Sequence, residues 1–78
     1  MNPITMASAI EIAIIEALRE IGRPATAFDI ERHPAVAEAC RRGKLKARHR
    51  LVMLTAQRRI HSDMAEQRPI YWVDQSPY

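Results

Sequence analysis

Apolar side chains recur at helical spacing between residues 5 and 21, which predicts a helix with one apolar face. That face contains Met6, Ile10, Ala13, Ile14, Ala17, Leu18 and Ile21. Gly22 and then Pro24 follow, as is typical of a helix end. Ile12 and Ile15 lie off the apolar face, so we expect them to contact a second copy of the chain in a homodimer.

Two shorter helices are predicted between residues 27 and 43. Thr26 is suited to cap a helix from Ala27 to Arg32, because Asp29 stands three residues later, as in a capping box. Pro34 stands where that helix ends or the next one begins. Residues 35–43 are weakly helical, and Gly43 is expected to end the segment.

Residues 44–59 predict a longer helix, in which basic side chains surround the apolar run LVML at 51–54. On a helical wheel, a wide apolar arc contains Leu45, Ala47, Leu51, Val52, Leu54 and Ala56. We expect this arc to face the core. The remaining sector, an open and mostly basic strip, contains Lys46, His49, Arg50, Met53 and Gln57. Arg48 falls within the apolar arc, but in the first turn, where a long side chain reaches solvent.

The end of the chain predicts two strands, at residues 60–62 and 68–73, joined by a loop at 63–67. Pro69 must then lie on an edge or at the start of its strand. Tyr71 and Trp72 are adjacent and so point to opposite faces, and we assign the core position to Trp72. Residues 1–4 and 74–78 are expected to fray.

The composition of the 78 residues, 47% hydrophobic and 27% charged, predicts a single domain spanning residues 1–78. The expected fold class is mainly α with a small C-terminal β-hairpin. Cys40 is the only cysteine and is predicted to be a small buried residue. Glu11 and Glu16 interrupt the first apolar stretch, so we expect neither a signal peptide nor a membrane-spanning helix. These features are typical of a cytoplasmic protein.

Positive charge is concentrated in the middle of the chain. Residues 32–59 contain nine basic side chains and one acidic, a balance of +8. Residues 1–31 contain two basic and five acidic, and residues 60–78 one basic and three acidic, which gives −3 and −2. Such a basic block predicts binding to a polyanion. The alternative is a basic face that is only solvated.

The sequence offers no catalytic or metal-binding pattern. His33, Cys40, His49 and His61 do not have the spacing of a zinc site. The chain contains two glycines and no phosphate-binding loop, and no nucleophile stands at a recognisable spacing from a base. We therefore expect neither an enzyme nor a bound metal or cofactor.

The predicted order of helix, short helix, variable helix, long helix and hairpin resembles a winged-helix domain. Three segments carry the resemblance: ALREIGRPATAFDI at 17–30, RHRLVMLTAQRRI at 48–60 and RPIYWV at 68–73. They resemble, in turn, the passage between the first two helices, the recognition helix and the returning strand of the wing. HPAVAEACRRGK at 33–44 departs from the family pattern, because it is longer than the usual turn between the paired helices.

The resemblance implies a regulator or accessory factor that binds duplex DNA through the long helix. Its base-facing residues would be Lys46, His49, Arg50, Met53 and Gln57. Its phosphate contacts would be Arg41, Arg42, Lys44, Arg48 and Arg68, with His61 and Gln67 near the wing. Winged helices also serve as protein–protein docking modules, which is the main alternative. Binding to RNA or single strands is a third interpretation.

Overall fold

In the computed structural model, which describes residues 6–74, the chain forms four helices and a small antiparallel sheet. The helices are α1 (Met6–Ile21), α2 (Ala27–Arg32), α3 (Pro34–Gly43) and α4 (Ala47–Ala56). The strands are β1 (Ala25–Thr26), β2 (His61–Ala65) and β3 (Arg68–Trp72). The mainly helical class with a C-terminal hairpin is confirmed. Residues 1–5 and 75–78 lie outside the described residues, and of the tails predicted at 1–4 and 74–78 only Asp74 is described.

The apolar face of α1 forms the centre of the core. Its buried side chains are Ile10, Ala13, Ile14, Ala17 and Leu18, and Ile21 packs against them half-buried. The side chain of Met6 lies outside the described residues. Gly22 has a φ of 73°, and its N–H donates to the Leu18 carbonyl at 3.0 Å, so the predicted glycine end of α1 is confirmed.

The capping box of α2 is also confirmed. The Asp29 N–H donates to Thr26 Oγ1 at 3.2 Å, and the Thr26 N–H donates to Asp29 Oδ2 at 3.4 Å. α3 begins at Pro34 after a different cap, because His33 Nδ1 accepts from the Ala35 N–H at 3.2 Å. α3 packs mainly against α1. It ends at Gly43, as predicted, but the residue in the left-handed region is the next one, Lys44, with a φ of 53°.

α4 is shorter than the helix predicted over residues 44–59. Residues 44–46 form the turn that leads into it, with Lys46 at the N-cap. At its other end Arg58 adopts a φ of 61°. The Arg58 N–H donates to the Thr55 carbonyl and the Arg59 N–H to the Leu54 carbonyl, each at 3.0 Å. These two bonds form a Schellman motif, which ends the helix although no glycine is present.

The sheet has the strand order β1–β3–β2. The two-residue β1 was not predicted from the sequence. The hairpin turn contains only Glu66 and Gln67, with φ values of 49° and 67°, so the predicted five-residue loop is wrong. Positive φ at both central residues is what a type I′ turn requires. Pro69 pairs with Met64 of β2, whereas β1 pairs only with Ile70 and Tyr71 of β3. The missing N–H of Pro69 therefore removes no hydrogen bond between β3 and β1.

The assignment of Trp72 to the core is wrong. Tyr71 is the buried aromatic residue, in contact with a core that also contains Ile60 and Val73. Trp72 is half-buried and stacks on His61, its cross-strand partner, with ring centroids 5.5 Å apart. The alternation along β3 was correctly expected, but the choice of face was not. No helix within residues 6–74 is long and apolar enough to cross a membrane.

Candidate nucleic-acid interface

One side of α4 is open to solvent along the whole helix. The exposed residues of this outer face are Arg48, His49, Val52, Met53, Ala56 and Gln57. The opposite side packs into the core through Ala47, Leu51 and Leu54. α4 packs against α1 and α2, which leaves the outer face free.

The helix is rotated relative to the sequence prediction. Val52 is 62% exposed, and Leu45 and Ala56 are exposed as well, so half of the predicted apolar arc does not face the core. At 100° per residue, the observed open face lies roughly 70° around the helix from the predicted strip. The reason is that a domain of this size has one core layer beside α4, and that layer accommodates only the face formed by Ala47, Leu51 and Leu54.

Arg50 does not lie on the open face, although the sequence placed it among the base-facing residues. Its side chain is 19% exposed, and its Nη1 lies 3.5 Å from Glu11 Oε2 of α1. Arg59 Nη1 lies 3.3 Å from the other carboxylate oxygen of Glu11, whose side chain is 13% exposed. Glu11 therefore joins α4 and the turn after it to α1. A shielded carboxylate between two guanidinium groups fixes helix orientation more than it supplies charge for a partner.

The start of α4 is surrounded by cations. Lys44 and Lys46 are exposed and form no ion pair with any residue that the structure describes. Arg48 reaches back to α2, where its Nε lies 3.3 Å from Glu31 Oε2. Arg48 is therefore exposed, although the helical wheel placed it within the apolar arc.

Arg41 and Arg42, at the end of α3, share one acidic partner. Both guanidinium groups contact Glu38, with Arg42 Nε 3.5 Å from Oε1. The hydrogen bond from Arg41 lowers the pKa of the Glu38 carboxyl below its ordinary value. All three side chains are exposed, so the pairs are readily exchanged for another anion.

The hairpin adds one cation on the same side as the start of α4. Arg68 and Arg48 line a cleft of about 270 Å³ together with Thr26, Phe28 and Pro69. Phe28 is exposed, and the Arg32 guanidinium lies 5.3 Å from its ring centroid. Gln67 is exposed in the hairpin turn, whereas His61 lies at the other end of β2 and its Nε2 is 3.0 Å from Asp74 Oδ1. The structure therefore separates the two residues predicted near the wing.

The two isoleucines predicted as dimer contacts differ in exposure. Ile12 is 43% exposed on α1. Ile15 is half-buried and packs against the core, so it is only partly available to a partner. Exposure of Ile12 alone keeps the dimer prediction open.

Cys40 and the histidines do not converge. Within residues 6–74, no three His, Cys, Asp or Glu side chains are placed to hold a metal ion. Cys40 is half-buried rather than fully buried, and desolvation raises the pKa of its thiol. His33 caps α3 and lies 3.4 Å from Glu20, which is a structural contact.

Comparison with protein-family models, with curated proteins and with solved structures finds no match for this chain.

Sequence reasoning missed two features of the site. Val52 and Ala56 were placed in the core because they are apolar, and nothing in their spacing distinguishes them from Leu51 and Leu54. The contact of Glu11 with two arginines could have been suspected from the sequence, because an acidic residue on α1 is a natural ion-pair partner for a basic helix.

Proposed function

We propose that the protein is a small winged-helix domain that binds duplex DNA through the outer face of α4, as a transcriptional regulator or accessory factor. The observation that carries the proposal is that this face is open along its whole length and bordered at its start by Lys44, Lys46 and Arg48. The order of four helices followed by a hairpin is the order on which the winged-helix resemblance rests. α3 is an insertion in this scheme, and α4 still packs against α2.

The chemistry of the outer face suits the major groove. Arg48, His49 and Gln57 offer hydrogen bonds to base edges, and the methyl groups of Val52 and Ala56 suit contact with thymine. α4 has 10 residues and is therefore about 15 Å long, which corresponds to roughly four base-pair steps at 3.4 Å each. In this proposal the exposed side chains of Lys44, Lys46 and Arg68 contact phosphates beside the groove. Asp63 and Glu66 in the hairpin repel phosphate, so we expect the hairpin to contact DNA through Arg68 alone.

The first test is the salt dependence of binding to random duplex DNA, measured by fluorescence anisotropy. If three or four of these cations meet phosphates, the plot of log K against log salt should have a slope of about −3 to −4. Lys46→Ala should reduce that slope by about one. Arg23→Ala, which removes an exposed cation before β1, is the matched control and should leave the slope unchanged. An equal reduction of the slope in Lys46→Ala and Arg23→Ala would mean that DNA does not bind at the start of α4.

The second test asks whether the outer face reads sequence. A preferred site is first selected from a random duplex library. His49→Ala or Gln57→Ala should then weaken binding to that site by about 1–3 kcal/mol and relax preference at one position, while random duplex is bound as before. Loss of specific and random binding in equal measure would mean that the helix contributes attraction without base readout.

A protein–protein docking module is the second candidate function, because several apolar side chains are exposed on or near the outer face of α4. Val52 and Met53 belong to the outer face, and Met64 is exposed on β2. Protein interfaces are enriched in such methionines and aliphatic side chains at their centre. Absence of duplex binding at low salt would favour this function over DNA binding.

A further inference from the structure

The line of α4 that points most directly away from the protein is largely apolar. The buried side of the helix is formed by three residues, Ala47, Leu51 and Leu54. At about 100° per residue, the exposed side chains of Val52, Ala56 and His49 lie within roughly 50° of the opposite direction. Arg48 and Gln57 lie about 90° from that direction, on the two flanks. A partner that approaches the helix face-on therefore meets methyl groups and one imidazole before any arginine.

The exposed valine gives the fold little. Val52 is mostly exposed, and a β-branched residue lowers helix propensity, so this position contributes neither core packing nor helix stability. Single exposed apolar residues are common on protein surfaces. Val52 and Ala56, however, are four residues apart and therefore neighbours on the helix surface. Together they form a continuous apolar strip in the middle of the outer face.

The charges around this strip favour a polyanion as its partner. α4 itself contains no acidic residue. Lys44 and Lys46 are exposed just before the helix and form no ion pair with any residue between 6 and 74. Arg48 is paired with Glu31, so the two lysines alone carry this argument. An apolar strip bordered by unpaired cations suits a ligand that is anionic along its backbone and presents small apolar groups.

Duplex DNA presents one such group in its major groove, the C5-methyl of a pyrimidine. Thymine carries this methyl group, and 5-methylcytosine carries it at the same ring position, whereas the other base edges present donors and acceptors. Val52 and Ala56 are separated by about 6 Å along the helix axis, at 1.5 Å per residue. That distance is roughly two base-pair steps at 3.4 Å each. The strip therefore matches two methyl groups at nearby positions of one half-site.

We propose that the outer face of α4 recognises C5-methyl groups of pyrimidines in duplex DNA, at two positions about two base-pair steps apart. Val52 contacts one methyl group and Ala56 contacts the other. This recognition rests on the duplex binding proposed above, and it names the class of site that the helix selects. Thymine and 5-methylcytosine are the two sources of the methyl group.

Replacement of thymine by uracil is the direct test, because uracil keeps the same base pairing and lacks only the C5-methyl group. The preferred site selected from the random duplex library is synthesised with thymine and with uracil. Affinities are measured by fluorescence anisotropy at one salt concentration. Each buried methyl group is worth about fourfold in affinity, so uracil at both positions should weaken binding about fifteenfold. Uracil at other positions of the site should leave the affinity unchanged.

Two further duplexes distinguish the sources of the methyl group. In one, the thymine–adenine pair at a uracil-sensitive position is replaced by cytosine–guanine, and in the other by 5-methylcytosine–guanine. An affinity about fourfold higher for the methylated duplex would show that 5-methylcytosine is bound as well. Equal affinity for these two duplexes, together with the loss caused by uracil, would restrict the ligand to thymine.

Two variants locate the contact. Val52→Ala shortens the apolar side chain without changing any charge, and it should bind the thymine and uracil forms of one position equally well. The preference at the second position, assigned to Ala56, should remain. Met64→Ala is the matched control, because Met64 is 63% exposed, like Val52 at 62%, but lies on β2. This variant should keep both preferences.

Equal affinity of the wild-type protein for the thymine and uracil duplexes would overturn methyl recognition and leave duplex binding through α4 in place. An unchanged preference in Val52→Ala would also overturn it, since the methyl groups would then be contacted elsewhere. A protein that binds no duplex at low salt would contradict the proposed function itself, and methyl recognition with it. The salt titration of random duplex separates this last case from the other two.

Discussion

At the scale of single residues, the part of the chain described here, residues 6–74, changes direction at four positions where a residue other than glycine has a positive φ. They are Lys44, Arg58, Glu66 and Gln67. The sequence signal for such positions is glycine or asparagine, so only Gly22, with a φ of 73°, was predictable. This explains why α4 was predicted to continue through Arg58 and why the hairpin turn was predicted as a longer loop.

Gln67→Gly should therefore stabilise the protein. Gln67 has a φ of 67° in the type I′ turn, and glycine adopts this conformation without strain. The expected gain is about 0.5–1 kcal/mol in the free energy of unfolding, measured by chemical denaturation. Ser62→Gly, an exposed change in the middle of β2, is the control and should destabilise, because glycine weakens an extended strand. A loss of stability in both variants would contradict the turn geometry.

At the scale of the elements, existence and order were predictable where the periodicity is long, as in α1, or where a local cap is present, as in α2. The orientation of α4 was not predictable, because its sequence has apolar residues on nearly every side. The tertiary contacts decide which of them are buried. Leu51 and Leu54 are fully buried in a helix that packs against α1 and α2, and Arg50 on one flank of the helix lies 3.5 Å from Glu11 of α1.

The rotation of α4 gives a direct test with two neighbouring side chains. Leu51 is fully buried, so Leu51→Ala should reduce the free energy of unfolding by about 2–5 kcal/mol. Val52→Ala should change it by no more than about 0.5 kcal/mol, because Val52 is mostly exposed. Both values come from urea denaturation followed by circular dichroism. Comparable reductions in the free energy of unfolding at the two positions would mean that Val52 also faces the core, as the sequence predicted.

At the scale of the whole molecule, the cations around α4 are divided between two tasks. Arg50 and Arg59 hold α4 to α1 through Glu11. Lys44 and Lys46 are exposed at the start of α4, where we propose that DNA phosphates lie. The charge count of the sequence predicted a basic region but could not divide it, because the division depends on which arginines find a carboxylate after folding.

The proposed homodimer is the remaining property of the whole molecule, and Ile12 is its most direct test. A two-fold dimer through α1 would place two copies of α4 about one DNA turn apart, roughly 34 Å, and would imply a palindromic site. Ile12→Glu should leave the free energy of unfolding of the monomer nearly unchanged and shift the protein to a monomer in sedimentation equilibrium. Ile15→Glu is the contrasting variant, because Ile15 packs against the core and a buried carboxylate there should destabilise the fold itself. A wild-type protein that sediments as a monomer at high micromolar concentration would contradict the dimer, and the domain would then bind a single half-site.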